Sequence, residues 1–152
     1  MAAEAEAHTD RQRTVHEAGH AVVAARLGVQ VERVSIVPIP GARSHVKLPA
    51  HPGISATDEL VVLMAGEEAQ RRLEDAGPIA PGDRERAQLV LDHEGVDEAR
   101  GRQMLAEGQE RARLLLAEDH IWSQVEAVTA ALLAEGTLDG PRFREVLASA
   151  RA

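Results

Sequence analysis

The spacing of apolar positions predicts a helix over residues 9–27. Val15, Ala18, Gly19, Val22, Val23 and Leu27 leave it few polar sides, so it reads as a buried helix that ends at Gly28, a residue suited to a helix C-terminus. Alternating β-branched residues over 29–38, closed by Pro38, predict a strand with Val31, Val34 and Ile36 turned inward. Residues 45–48 are short and stopped by Pro49, which suits an edge strand. A second helix over 57–73 carries Leu60, Val61, Leu63 and Met64 and a small Ala65-Gly66 pair for close packing. The Gly- and Pro-rich stretch 76–82 reads as loop, and a third helix starts near Asp83. Residues 97–136 follow a helical period as one long helix or two. Residues 137–141 read as a turn before a terminal helix over 141–150. These elements amount to a mainly α (α+β) domain with a small β element after the first helix.

Composition narrows the picture. A chain of 152 residues fits one domain with a real core, taken here as 11–152, with 1–10 as a mobile tail or a frayed extension of the first helix. Aromatic side chains are almost absent (Trp122 and Phe143), so the core rests on Leu, Val, Ile and Ala. Seventeen Lys and Arg stand against 25 Asp and Glu, a net charge of −8 with no basic run, which argues against nucleic acid as a partner. No apolar run has the length of a membrane span, and the start lacks the pattern of a signal peptide. Cysteine is absent, which suits a cytoplasmic protein and leaves His, Asp and Glu as the ligands for any metal.

The chemistry concentrates in His16-Glu17-Ala18-Gly19-His20, a match to H-E-x-x-H. On a helix, positions i and i+4 share a face, so both imidazoles can address one ion while Glu17 lies beside it. Two neutral nitrogen ligands and a carboxylate that can take a proton from water are what a zinc hydrolase needs. Apolar surroundings sharpen the reading, because a buried helix seldom carries such residues without a use for them. Gly19 costs helix stability and implies that another backbone or a substrate comes close.

A catalytic zinc of this kind takes a third protein ligand. Asp58, Glu59, Glu67, Glu68, Asp83, Asp92 and His93 all qualify by type, and spacing does not choose among them. Asp83 has an alternative role as the carboxylate that opens a helix after Pro-Gly. His45, His51 and His93 read as ordinary surface or loop histidines.

Over residues 12–148 the chain resembles the peptidase domain of FtsH-type AAA proteases. The family's opening is echoed by Val15 through Val23 and by the strand through Val31-Glu32-Arg33-Val34-Ser35-Ile36-Val37-Pro38. Leu63-Met64-Ala65-Gly66-Glu67-Glu68-Ala69 is similar to its apolar-Gly-Gly-x-Ala-Ala helix, Asp83-Arg84-Glu85-Arg86-Ala87 to its Asp-x-Glu-Arg-Ala segment, and 131–143 to its closing segment. The resemblance implies zinc held by His16, His20 and Asp83, with Glu17 as general base and residues 45–48 as the edge strand that accepts a substrate backbone. The sequence departs from the family in several places. It has no Gly-x-x-x-x-Gly-Lys-Ser/Thr loop and no membrane-spanning segment. Val15 stands where a tyrosine is usual, Gly82 where an asparagine precedes the ligand aspartate, and Gln70 where a glutamate is common in the middle helix.

The function expected from all this is a zinc-dependent metalloendopeptidase acting on unfolded or flexible protein segments, ATP-independent in itself. Its partners would be a protein or peptide substrate, with room for an ATPase supplied in trans and for a homo-oligomer. The alternative is a non-catalytic zinc-binding interaction or regulatory module on the same fold.

Overall fold

A computed structural model describes residues 2–150, with side chains from Asp10 onward. The described residues fold into six helices and a three-stranded sheet. In order these are α1 (Ala2–Arg26), β1 (Arg33–Ser35), β2 (His45–Lys47), α2 (Ala56–Arg71), α3 (Gly82–Glu94), α4 (Glu98–Ala117), α5 (Asp119–Glu135), β3 (Thr137–Asp139) and α6 (Gly140–Ser149). The expected mainly α (α+β) class holds. Of the tail expected over 1–10, Met1 lies outside the described residues, and from Ala2 the backbone is part of α1.

α1 is the axis of the core. It packs against α2 on one side and α5 on another, while α4 backs α2. Nearly every side chain of 14–24 is buried, as the apolar pattern predicts. Gly19 is the contact point with α2: a Cβ there would lie 2.6 Å from the Ala69 Cβ and 2.8 Å from the Ala65 carbonyl oxygen. Glycine in a helix costs about 1 kcal/mol relative to alanine. Prising two packed helices apart would cost more, so the small residue wins. The close backbone inferred for Gly19 is α2.

The sheet has the order β2-β1-β3, all antiparallel. β1 lies in the middle, with Val34 opposite Val46 and Leu138, and β2 is an edge strand as expected. The strand predicted over 29–38 is confined to three residues, although Val29 and Val31 are buried beside it. Residues 137–141, read above as a turn, are instead strand β3 followed directly by α6. Leu138 is fully buried, and the Asp139 side chain caps α6 by accepting from the Arg142 N–H. Three residues between Gly136 and Gly140 are too few to show a period of two, and only pairing with β1 makes them a strand. The long helical stretch is two helices, parted at Glu118, whose backbone is extended (φ −69°, ψ 128°). No helix among the described residues is long and apolar enough to cross a membrane.

Candidate metal centre

His16 and His20 leave α1 one turn apart, their rings edge to face with centroids 4.7 Å apart. α2 fixes how each ring presents itself. His20 Nδ1–H donates to the Val62 carbonyl (2.7 Å), and His16 Nδ1–H donates to Gln70 Oε1 (2.9 Å). The Gln70 amide is oriented by its other end: its Nε2 donates to the carbonyls of Ala76 (2.6 Å) and Pro78 (3.0 Å), so Oε1 must face the imidazole. With both Nδ1 atoms spent as donors, the two Nε2 atoms face the same space. Fixing a ring through its far nitrogen in this way is how metal-binding histidines are held.

That space exists because residue 66 is glycine. A Cβ on Gly66 would stand 2.6 Å from His16 Nε2 and closer still to His20 Nε2. Val62, Gly66 and Gln70 are spaced four apart and form one stripe of α2, which meets the two imidazoles end to end. The sequence marks Gly66 only as a small packing residue and Gln70 only as a departure from a family pattern. Their shared spacing with His16 and His20 was the signal available. Gln70 retains the acceptor that a glutamate would offer His16 and adds two donors that hold the 76–78 loop.

Asp83 comes from α3 and completes the group. Its Oδ2 lies 2.8 Å from His16 Nε2 and 3.0 Å from His20 Nε2. The helix-capping role considered for Asp83 is not what its side chain does: α3 has no side-chain cap bond, and the carboxylate turns to the imidazoles. A second junction locks it there. Glu67, next to Gly66 and almost wholly buried, receives both Nε and Nη2 of Arg84 at 2.9 Å, and also pairs with Arg71 (2.8 Å). So Gly66-Glu67 on α2 meets Asp83-Arg84 on α3, one residue of each pair making room or reaching in, the other fastening.

Other carboxylates considered for the site are engaged elsewhere: Asp58 with Arg111, Glu68 with Gln109 and Asp92 with Gln88. Neither Glu59 nor His93 is joined to the imidazoles by a hydrogen bond among the described residues, and His93 is exposed. His45 pairs with Arg33 across the sheet (3.0 Å), and His51 is exposed.

Glu17 is the remaining member. It is 8% exposed, and among the described residues its carboxylate has no hydrogen-bond or ion-pair partner. Donor atoms of His16, Glu17 and His20 all lie within 4.8 Å of one another, a group that can hold a metal ion. Two clefts open beside it. One, of about 370 Å³, runs between α1 and the segment with Arg43 and Ser44; the other, of about 350 Å³, runs along β2 past Ser44, Val46 and Leu48. Glu17 and Asp83 border both.

The donor set fits a divalent cation: two ring nitrogens with fixed tautomers and a carboxylate oxygen touching both, in a space kept clear by Gly66. Its protons follow from the same contacts. Burial alone would raise the Asp83 carboxyl, but the hydrogen bonds and charges of His16 and His20 outweigh it and hold Asp83 well below the usual carboxylate range. Burial opposes a charge on His20, yet Asp83, Glu17 and the Val62 carbonyl outweigh that and raise its pKa above 6.5. A raised pKa means that His20 keeps its proton to higher pH than a free imidazole. A cation must displace that proton, so affinity is expected to climb with pH through the imidazole range and level off above the raised value. Calorimetry of zinc uptake at pH 6.5, in two buffers of different ionisation enthalpy, should show proton release. Identical heats in the two buffers would overturn this.

The chain matches no protein-family model and no curated protein. Its function must be argued from the site itself.

Proposed function

We propose that this chain is a zinc-dependent metalloendopeptidase cutting unfolded or flexible protein segments without ATP of its own. The observation that carries the reading is Glu17: a nearly buried carboxylate with no hydrogen-bond partner among the described residues, beside two imidazoles held ready as ligands, at the meeting point of two clefts. A purely structural site has no use for such a carboxylate. The resemblance to the FtsH-type peptidase domain supports the same assignment, with His16, His20 and Asp83 as the ligands. Gln70 adds support, because it still orients His16.

Zinc bound there would supply Lewis acidity, polarising a peptide carbonyl and drawing the pKa of water toward neutrality. Glu17 takes the proton from the attacking water and passes it to the departing amine. His16 and His20 keep their Nδ1 protons throughout, each tied to an acceptor on α2. β2 has β1 on one side only, so its outer edge can pair with an extended peptide laid along the second cleft.

The test is cleavage of an unstructured protein such as casein by the full chain, with added zinc and no ATP, beside Asp83→Ala and with zinc content measured. Wild-type cleavage that a chelator stops and zinc restores, and that Asp83→Ala lacks, is the expected result. Zinc bound without cleavage of any flexible substrate would point instead to a non-catalytic module on this fold.

A further inference from the structure

The larger of the two clefts has two arginines on its walls. Arg13, one turn before Glu17 on α1, and Arg43, from the segment between β1 and β2, both border the space that reaches His16, Glu17 and Asp83. Two arginines and two carboxylates thus line this cleft in a chain of net charge −8. Arg43 is exposed and has no ion-pair or hydrogen-bond partner among the described residues. Arg13 gives Nη2 to Asp10 (3.0 Å); its Nε is buried out of reach of solvent and makes no hydrogen bond among the described residues.

The charges in the cleft can be matched one by one. Glu17 and Asp83 are the acidic groups of its wall; Arg86 already pairs with Asp83 (3.3 Å), and a bound divalent cation would offset the remaining negative charge. Asp10 offsets part of Arg13. What remains is Arg43, with Arg13 lining the same cleft. Guanidinium groups prefer planar, two-oxygen acceptors, and a peptide brings such an acceptor only as a carboxylate.

We infer that Arg43 and Arg13 form a carboxylate-binding subsite beside the cutting position, so that this chain selects peptides bearing a carboxylate on that side of the scissile bond. The inference rests on the peptidase reading, because it takes the cleft as the path of the substrate. The carboxylate has two sources, an Asp or Glu side chain or the free C-terminus of the peptide. The first would give an endopeptidase with acidic preference, the second a preference for bonds near chain ends. An ion pair in so open a cleft is weakened by salt.

Binding rather than turnover tests this. Zinc-loaded Glu17→Gln protein would be titrated, by fluorescence anisotropy at low salt, with three labelled octapeptides of one neutral sequence. The first has an amidated C-terminus, the second is amidated with one residue changed to glutamate, and the third has a free C-terminus. One carboxylate peptide is expected to bind about tenfold more tightly than the neutral one, as for a charge-assisted hydrogen bond. Arg43→Gln in the same background should erase most of that difference and leave neutral-peptide binding unchanged. Which carboxylate peptide gains names the source. Equal binding of all three, or a preference that survives Arg43→Gln together with Arg13→Gln, overturns the subsite but leaves the peptidase reading standing. Binding of none of the three removes the substrate path and the peptidase reading with it.

Discussion

Replacing Gly66 by alanine is expected to weaken zinc binding at least about 100-fold while the protein stays folded. Viewed as helix chemistry alone the change is favourable, since alanine gains about 1 kcal/mol over glycine in a helix interior. The added methyl, however, would stand 2.6 Å from His16 Nε2 and nearer still to His20 Nε2, in the space the ligands converge on. α2 cannot yield, because its neighbouring stripe already touches α1 through Gly19, Ala65 and Ala69. The rings must swing away, losing their bonds to Gln70 and Val62. A hundredfold loss corresponds to about 2.7 kcal/mol, less than the cost of losing one well-placed ligand of a zinc site. Competition with a chromophoric chelator would measure affinity, and circular dichroism would report the helices. Gly82→Ala is the control: it lies next to Asp83, but a Cβ there would meet nothing within 4 Å. Gly66→Ala protein with wild-type affinity would show that the imidazoles do not meet where the structure has them.

Glu17→Gln is expected to keep zinc within about threefold of wild-type affinity and to lower turnover about 1,000-fold, the usual loss when a general base is removed. Glutamine matches the shape of glutamate but cannot accept the proton. Since Glu17 makes no hydrogen bond among the described residues, the exchange breaks no structural contact. The variant also separates two roles that the geometry places side by side. Glu17 belongs with His16 and His20 to a group that can hold an ion, while Asp83 Oδ2 touches both Nε2 atoms directly. If Glu17 were the third ligand, zinc would be lost along with turnover. If it is the base, zinc stays. Undiminished cleavage by Glu17→Gln would leave the proposed mechanism without its proton carrier.

The parts of this site visible in the sequence are those that one helix determines alone. The i, i+4 spacing of His16 and His20 fixes a common face, whatever the rest of the fold does. Burial of that helix followed from Val15, Ala18, Val22 and Val23. Asp83 was one of seven possible third ligands by residue type, because nothing local measures the distance across 67 residues of chain. The contact depends on how α3 docks on α2, which the Glu67–Arg84 pair fastens, and the sequence offers Glu67 only as another candidate ligand and gives no sign that Arg84 is its partner. Gln70 was legible as a substitution but not as a hinge of the network, since its amide is oriented by loop carbonyls that carry no side-chain signature. β3 was missed for a similar reason: a three-residue strand owes its existence to a partner 102 residues earlier.

That same pairing bears on how the protein is made. Translation proceeds from the N-terminal side, so both imidazoles and Glu17 emerge before Asp83, which lies 63 residues after His20. β1 follows soon after, but its neighbour β3 comes 102 residues later. Until that segment arrives, β2 leans on a strand supported from one side only, and the cleft beside it lacks a firm wall. In that interval the nascent chain carries His16, Glu17 and His20 without the completed sheet beside the cleft that they border. The cleft is complete only once β3 has been made, a timing that on the proposed peptidase reading would spare neighbouring nascent chains from a cutting site formed too soon.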